Sequence, residues 1–179
     1  MTPEKLFAEL LGLGLKWRVT ECVFRKDRSQ VDLQLEHTDE VWKRERCPQC
    51  GAEAKGYDGT EPLRWRHLNV MQYRGEIGAR LPRGRCPQCG HTGRVRPPWE
   101  GKAGGFSKEF EACALLLLRE MAVERAAQTL GETAPRLGRL LHKHGDAACA
   151  EADFSNVCCG GGTRCPCAKG PSISASSPI

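Results

Sequence analysis

Arg44-Glu45-Arg46-Cys47-Pro48-Gln49-Cys50-Gly51 recurs further along the chain as Arg83-Gly84-Arg85-Cys86-Pro87-Gln88-Cys89-Gly90. Each copy is a CxxC turn followed by glycine. The two thiolates of such a turn converge on one ion, and the glycine permits the positive φ by which backbone N–H groups approach the sulfurs. Together Cys47, Cys50, Cys86 and Cys89 make four soft ligands, the closed tetrahedral set of one structural zinc ion. A redox pair would open a helix in a thioredoxin-like unit, and neither pair here does. A rubredoxin-like iron centre, an electron carrier, uses the same paired knuckles and is the rival reading. It leaves the basic surroundings of the cysteines unexplained. The 35 residues between the pairs must fold back as a β-rich loop.

Working outward, residues 41–102 hold 13 Lys and Arg against 6 Asp and Glu, within a chain of 179 residues and net charge +5. The remainder is therefore slightly acidic. A basic middle wrapped around cysteine pairs suits a polyanionic partner. With 40% hydrophobic but only 6% aromatic residues, the composition favours small modules, at least one of them stapled by metal. The chain opens Met1-Thr2-Pro3-Glu4-Lys5 and its longest apolar run is Ala112–Leu118, far short of the roughly 18 residues of a membrane span. No membrane partner is expected. Eleven cysteines, an odd number, argue against a disulfide framework and for a reducing compartment, the bacterial cytoplasm. Cys22 and Cys113 read as small buried hydrophobes, and His67 and His91 as packing or surface residues beside a site already closed by thiolates.

Upstream, residues 3–13 read as a short helix with Leu6, Leu10 and Leu13 on one side. Residues 17–24 and 30–36 read as strands around the polar turn Arg25–Ser29. Val31, Leu33 and Leu35 alternate with Asp32, Gln34 and Glu36, the period of a half-buried strand. Residues 63–81 hold further strand material, which Gly75 and Gly78 are expected to break. Downstream of Pro97-Pro98-Trp99, Gly101-Lys102-Ala103-Gly104-Gly105 reads as a flexible linker, and residues 106–144 are helical in pattern.

Within that helical stretch, Phe110, Ala114, Leu117 and Met121 share one face of a first helix. Ala127, Gly131, Leu137 and Leu140 then follow at the spacing of a helix-turn-helix. The alanine allows close helix contact, the glycine takes the left-handed turn, and the leucines anchor the second helix. Thr133 can cap that helix and Pro135 suits its first turn. Arg136, Arg139 and Lys143 share an outer face that can enter a major groove. A plain helical hairpin with a charged face is the alternative. Arg83, Arg85, Arg94 and Arg96, flanking the second knuckle, complete the expected DNA contacts.

This order of parts resembles the N-terminal half of the ISL-three-type insertion-sequence transposases, over about residues 6–157. The resemblance rests on CPxCG…CPxCG, Arg94-Val95-Arg96-Pro97-Pro98 and the Ala127/Gly131 spacing. It implies double-stranded DNA as partner, namely transposon terminal inverted repeats, in a nucleoid-associated protein that self-associates or joins full-length transposase. In that family a DDE nuclease domain follows; here Gly162–Gly170 stands where its Asp-Glu…Arg-Lys-Gly would begin. A shifted reading frame can encode those residues, so the tail after about residue 157 reads as an out-of-frame product and the chain as a non-catalytic fragment. Residues 155–179, dense in Gly, Ser, Cys and Pro, are expected to be disordered.

The expected fold is α+β: a small β-rich four-cysteine zinc-binding module, then an all-α helix-turn-helix, then the tail. The expected divisions are 1–40 (helix and hairpin), 41–100 (zinc-binding knuckles), 106–145 (helix-turn-helix) and 155–179. A freestanding zinc-dependent DNA-binding regulator is the alternative to the transposase reading.

Overall fold

The computed structural model describes residues 2–44 and 46–151. In chain order its elements are α1 (Pro3–Leu10), β1 (Trp17–Arg25), β2 (Gln30–His37), β3 (Lys55–Gly59), β4 (Leu63–Val70), β5 (Tyr73–Ala79), β6 (Pro82–Arg85), β7 (Thr92–Arg94), α2 (Lys108–Glu120), α3 (Val123–Leu130) and α4 (Ala134–Glu151). The mixed α and β content agrees with the α+β expectation. The expected disordered tail lies outside the described residues.

Two sheets carry the strands. The larger has the order β1-β2-β5-β4, and the smaller β3-β6-β7. β1 and β2 form the expected antiparallel hairpin, turned by a short 3-10 segment at Lys26–Arg28 and by Ser29 at φ 49°. β2 then pairs in parallel with β5, Val31 opposite Gly75 and Leu35 opposite Ala79. The strands between the cysteine pairs are thus shared out. β4 and β5 join the amino-terminal hairpin, while β3 and β6 stay with the knuckles.

The period-2 pattern of β2 sends Val31, Leu33 and Leu35 inward, where they meet Trp17, Val19, Trp65, Ile77 and Ala79. Each fully buried aliphatic side chain there contributes about 1.5–3 kcal/mol of apolar transfer. Trp99, delivered by the Pro97-Pro98 segment, sits edge-on to Trp17 at 4.8 Å and to Trp65 at 5.8 Å. The opposite side of β2 is solvated only at its end, where Glu36 is exposed; Asp32, against the alternation, is buried.

Three local expectations need correction. α1 ends at Leu10, with Gly12 and Gly14 at φ 59° and 60°. Its packed residues are Phe7, Ala8 and Leu11, while Leu6 and Leu10 are exposed. Gly75 and Gly78 do not break a strand; they lie inside β5, and the chain turns at Met71, φ 57°. A Cβ at Gly75 would lie 2.2 Å from the Leu68 carbonyl oxygen, and one at Gly78 2.6 Å from Gln34 Oε1. Close approach of a neighbour, backbone at Gly75 and the Gln34 side chain at Gly78, explains both glycines, not chain reversal.

The linker is the third case. Glu111, buried on α2, accepts the backbone N–H groups of Lys102 (2.9 Å) and Ala103 (2.7 Å). Gly105 is fixed on β4 by the Arg66 N–H, and Gly101 by the Phe106 carbonyl. The segment is tied down at both ends. α2, α3 and α4 then pack around Phe106, Phe110, Ala114, Ala126, Ala127, Leu137 and Leu140. Gly131 closes α3 at φ 65°, and the Glu132 N–H bonds the Ala127 carbonyl at 2.9 Å. No helix among the described residues is long and apolar enough to cross a membrane.

Candidate metal centre and nucleic-acid interface

The two knuckles fold alike because they are nearly the same sequence. In the first, the Gly51 N–H bonds the Cys47 carbonyl at 2.9 Å, the Cys47 N–H bonds the Ala52 carbonyl at 2.8 Å, and Gly51 takes φ 72°. In the second, Gly90 bonds Cys86 at 3.1 Å, Cys86 bonds the His91 carbonyl at 2.8 Å, and Gly90 takes φ 73°. The four sulfurs lie within 4.8 Å of one another, with Cys47–Cys89 at 3.5 Å and Cys50–Cys86 at 3.4 Å. Four thiolates on a tetrahedral zinc, at Zn–S of about 2.3 Å, stand about 3.8 Å apart. The set fits one structural zinc ion, with Cys47 and Cys86 buried and Cys50 and Cys89 exposed.

The backbone prepares one sulfur in each turn to ionise. Burial opposes the Cys47 thiolate, but N–H groups of Cys50 and Gln49 outweigh it and lower its pKa. The Cys89 N–H does the same for Cys86, against burial, and the thiol is pushed down to about 6. Cys50 receives the Ala52 N–H, yet its hydrogen bond to Cys86, with partial desolvation and the other two sulfurs, prevails, and it is pushed up to about 12. A divalent cation turns this mutual repulsion into four attractions, which is why such a cluster couples metal binding to folding.

Residues 43–90 match the family model for the zinc-finger of transposase IS204/IS1001/IS1096/IS1165. The match spans both knuckles and the strands between them, so this region is a zinc ribbon similar to that of those transposases, and zinc is its metal. No curated protein and no solved structure matches the chain. A transposase-type zinc ribbon points to a DNA-binding module.

The residues expected to meet DNA are not equally placed to do so. Arg83 is engaged by Asp58, its Nε 2.6 Å from Oδ1. Arg85 lies over the Tyr57 ring at 5.9 Å. Arg94 grips Glu100 with both Nη atoms, at 2.9 and 3.0 Å, and Arg96 stands 3.7 Å from the same carboxylate. Thr133 is exposed, and its carbonyl accepts the Arg136 and Leu137 N–H groups at the start of α4. Arg139 and Lys143 are exposed on α4, to one side of the buried Leu137 and Leu140. Arg136 is different. It bonds Glu132 at 2.6 Å and covers the Phe106 ring at 4.4 Å, so it packs the helices rather than facing outward.

Sequence reasoning missed the anchor of that packing. Glu132, in the turn between α3 and α4, has a side chain only 2% exposed and draws in three guanidinium groups. Besides Arg136 these are Arg74 (2.7 Å) and Arg66 (3.5 Å). Arg66 also donates to the Leu130 carbonyl, 3.0 Å away. Burial and the Arg74 charge push Arg66 down to about 10, which still leaves it charged at neutral pH. The chain of charges continues over the sheet from Arg74 to Glu76 (2.9 Å), Arg64 (3.7 Å), Asp32 (3.8 Å) and Arg25 (2.5 Å). Burial alone would raise Asp32, but hydrogen bonds from Arg25 and Gln30 and the Arg64 charge leave it lowered.

His67 and His91 take no part in the thiolate cluster. His67 is held by Ser107, 2.8 Å from Nδ1, whereas His91 meets the second knuckle through its backbone, its carbonyl accepting the Cys86 N–H and its N–H reaching the Cys89 sulfur. Cys22 is half-buried against the sheet core.

Proposed function

We propose that this chain is the DNA-binding part of an insertion-sequence transposase, recognising the terminal inverted repeats of its element. Support comes from one observation above all: the four-thiolate ribbon matches a transposase zinc finger. In this reading α3, the Gly131 turn and α4 are a helix-turn-helix, with the exposed face of Arg139 and Lys143 entering the major groove. Arg136 then serves to set the angle of α4. The zinc ribbon supplies phosphate contacts beside the groove-reading helix, and residues 1–40, 41–100 and 106–145 act as one DNA-binding unit.

The test is a mobility-shift titration of the zinc-loaded chain against duplexes carrying the terminal repeat and against scrambled duplexes. A preference of at least about 1,000-fold is expected, the lower end of the range by which specific binding exceeds non-specific. Equal affinity for both would refute repeat recognition. Preference for a promoter duplex over the repeats would instead favour a freestanding zinc-dependent regulator.

A further inference from the structure

Between the end of the ribbon and the last helix lies an open cleft of about 360 Å³. Its lining is unusual in chemistry: Arg94, Arg96, Lys102 and Lys143 from three separate segments, with Glu100 and the bare backbone of Gly101 and Gly104. No aliphatic or aromatic residue contributes. Small organic ligands are held mainly by apolar walls, so this lining selects a polyanion. Glu100 is shared by Arg94 and Arg96. Among the described residues, Lys102 and Lys143 have no carboxylate partner.

We propose that this cleft seats the phosphodiester backbone of duplex DNA, so that the ribbon's end and α4 grip the same stretch of strand, and that Glu111 is the positioning residue that registers it. Glu111 accepts the Lys102 N–H at 2.9 Å on its Oε2, and the same oxygen lies 2.8 Å from His144 Nε2, next to Lys143. One buried carboxylate therefore holds the backbone of Lys102 and the side chain that follows Lys143 on α4. Gly101 is required for this, since a Cβ there would lie 2.2 Å from Glu111 Oε1. The inference rests on the DNA-binding reading, and it adds Lys102 and Glu111 to the interface while setting aside Arg83 and Arg136, whose charges are spent internally.

The experiment is the salt dependence of binding by the full, zinc-loaded chain to random-sequence duplex. Each lysine that neutralises one phosphate contributes about 0.9 to the slope of log K against log salt. K102Q and K143Q are each expected to lower the slope by about 1, while K5Q on α1 and R83Q leave it unchanged. Both lysines are exposed, so circular dichroism should show the parent fold in each variant. E111Q, assayed likewise, is expected to weaken binding without any loss of positive charge. A slope unaltered in K102Q and K143Q, in a parent chain that does bind DNA, overturns the seat alone. A parent chain that binds no duplex at any salt concentration overturns the functional reading and the seat with it.

Discussion

Replacing Glu132 by alanine removes the one carboxylate on which Arg66, Arg74 and Arg136 converge. Arg66 suffers most, because its side chain is only 2% exposed and cannot turn to water. Removing one partner of a buried ion pair costs about 3–5 kcal/mol, mainly through the charge left behind. Arg66 keeps neutral acceptors in Asn69, Gly75 and Leu130, at 2.6, 3.1 and 3.0 Å. Arg74 and Arg136 are 30% and 34% exposed and can rehydrate. Both facts place the cost at the lower end, about 3 kcal/mol. With a urea m-value of about 2 kcal/mol/M, the unfolding midpoint of E132A should fall by about 1.5 M. E132Q retains the shape and an acceptor oxygen and should lose roughly half as much, since hydrogen bonds to charged groups are worth about 1.5–3 kcal/mol. The measurement is urea denaturation of zinc-saturated protein followed by circular dichroism. A loss of under about 1 kcal/mol in E132A, the value of an exposed pair, would show that the carboxylate does not anchor the helices.

The glycines of β5 should separate by what their missing side chains would strike. G75A meets a carbonyl that cannot step aside and should cost about 3 kcal/mol, whereas G78A meets the movable end of Gln34 and should cost about 1 kcal/mol; the opposite order in urea midpoints would refute the packing assigned to them. His67 should make stability depend on pH. Burial comes first among the causes that lower its pKa, and Arg66 adds to it against Glu109. The unfolded chain therefore binds the proton more readily. The stability held above the ordinary value of about 6.5 declines as pH falls toward the lowered one, by at most about 1.4 kcal/mol per pH unit. The Ser107 hydroxyl accepts the Phe110 N–H at 3.1 Å and keeps its own hydrogen free to donate to His67 Nδ1 when the imidazole is neutral. Between pH 7 and pH 5.5 the parent should lose more stability than H67Q; parallel profiles would remove His67 as the source.

The parts of this structure legible in the sequence are those written by local repetition. The knuckles could be read because spacing alone brings each pair of thiolates together. The alternation of β2 and the Ala127/Gly131 spacing were visible for the same reason, each being set within a few residues. The parallel pairing of β2 with β5 was not, since register between distant strands leaves no mark in either. Nor was the role of Glu132, which looks like any turn glutamate until Arg66 and Arg74 arrive from residues 66 and 74. The glycines at 101–105 misled because their composition suits a loose tether, whereas their backbone is gripped by Glu111. Arg136 misled by periodicity: it shares a helical side with Arg139 and Lys143, but its guanidinium is drawn back by Glu132 and Phe106.

The alternating charges that run from Arg25 across β2, β4 and β5 to Glu132 bear on how the molecule meets another in solution. Arginines locked among their own counter-charges project little field beyond the surface, so a formal charge of +5 overstates what the sheet offers and understates the imbalance between sides. A tumbling polyanion is drawn along the gradient toward the unneutralised side. Diffusional capture should thus be oriented before any contact forms, with the sheet trailing.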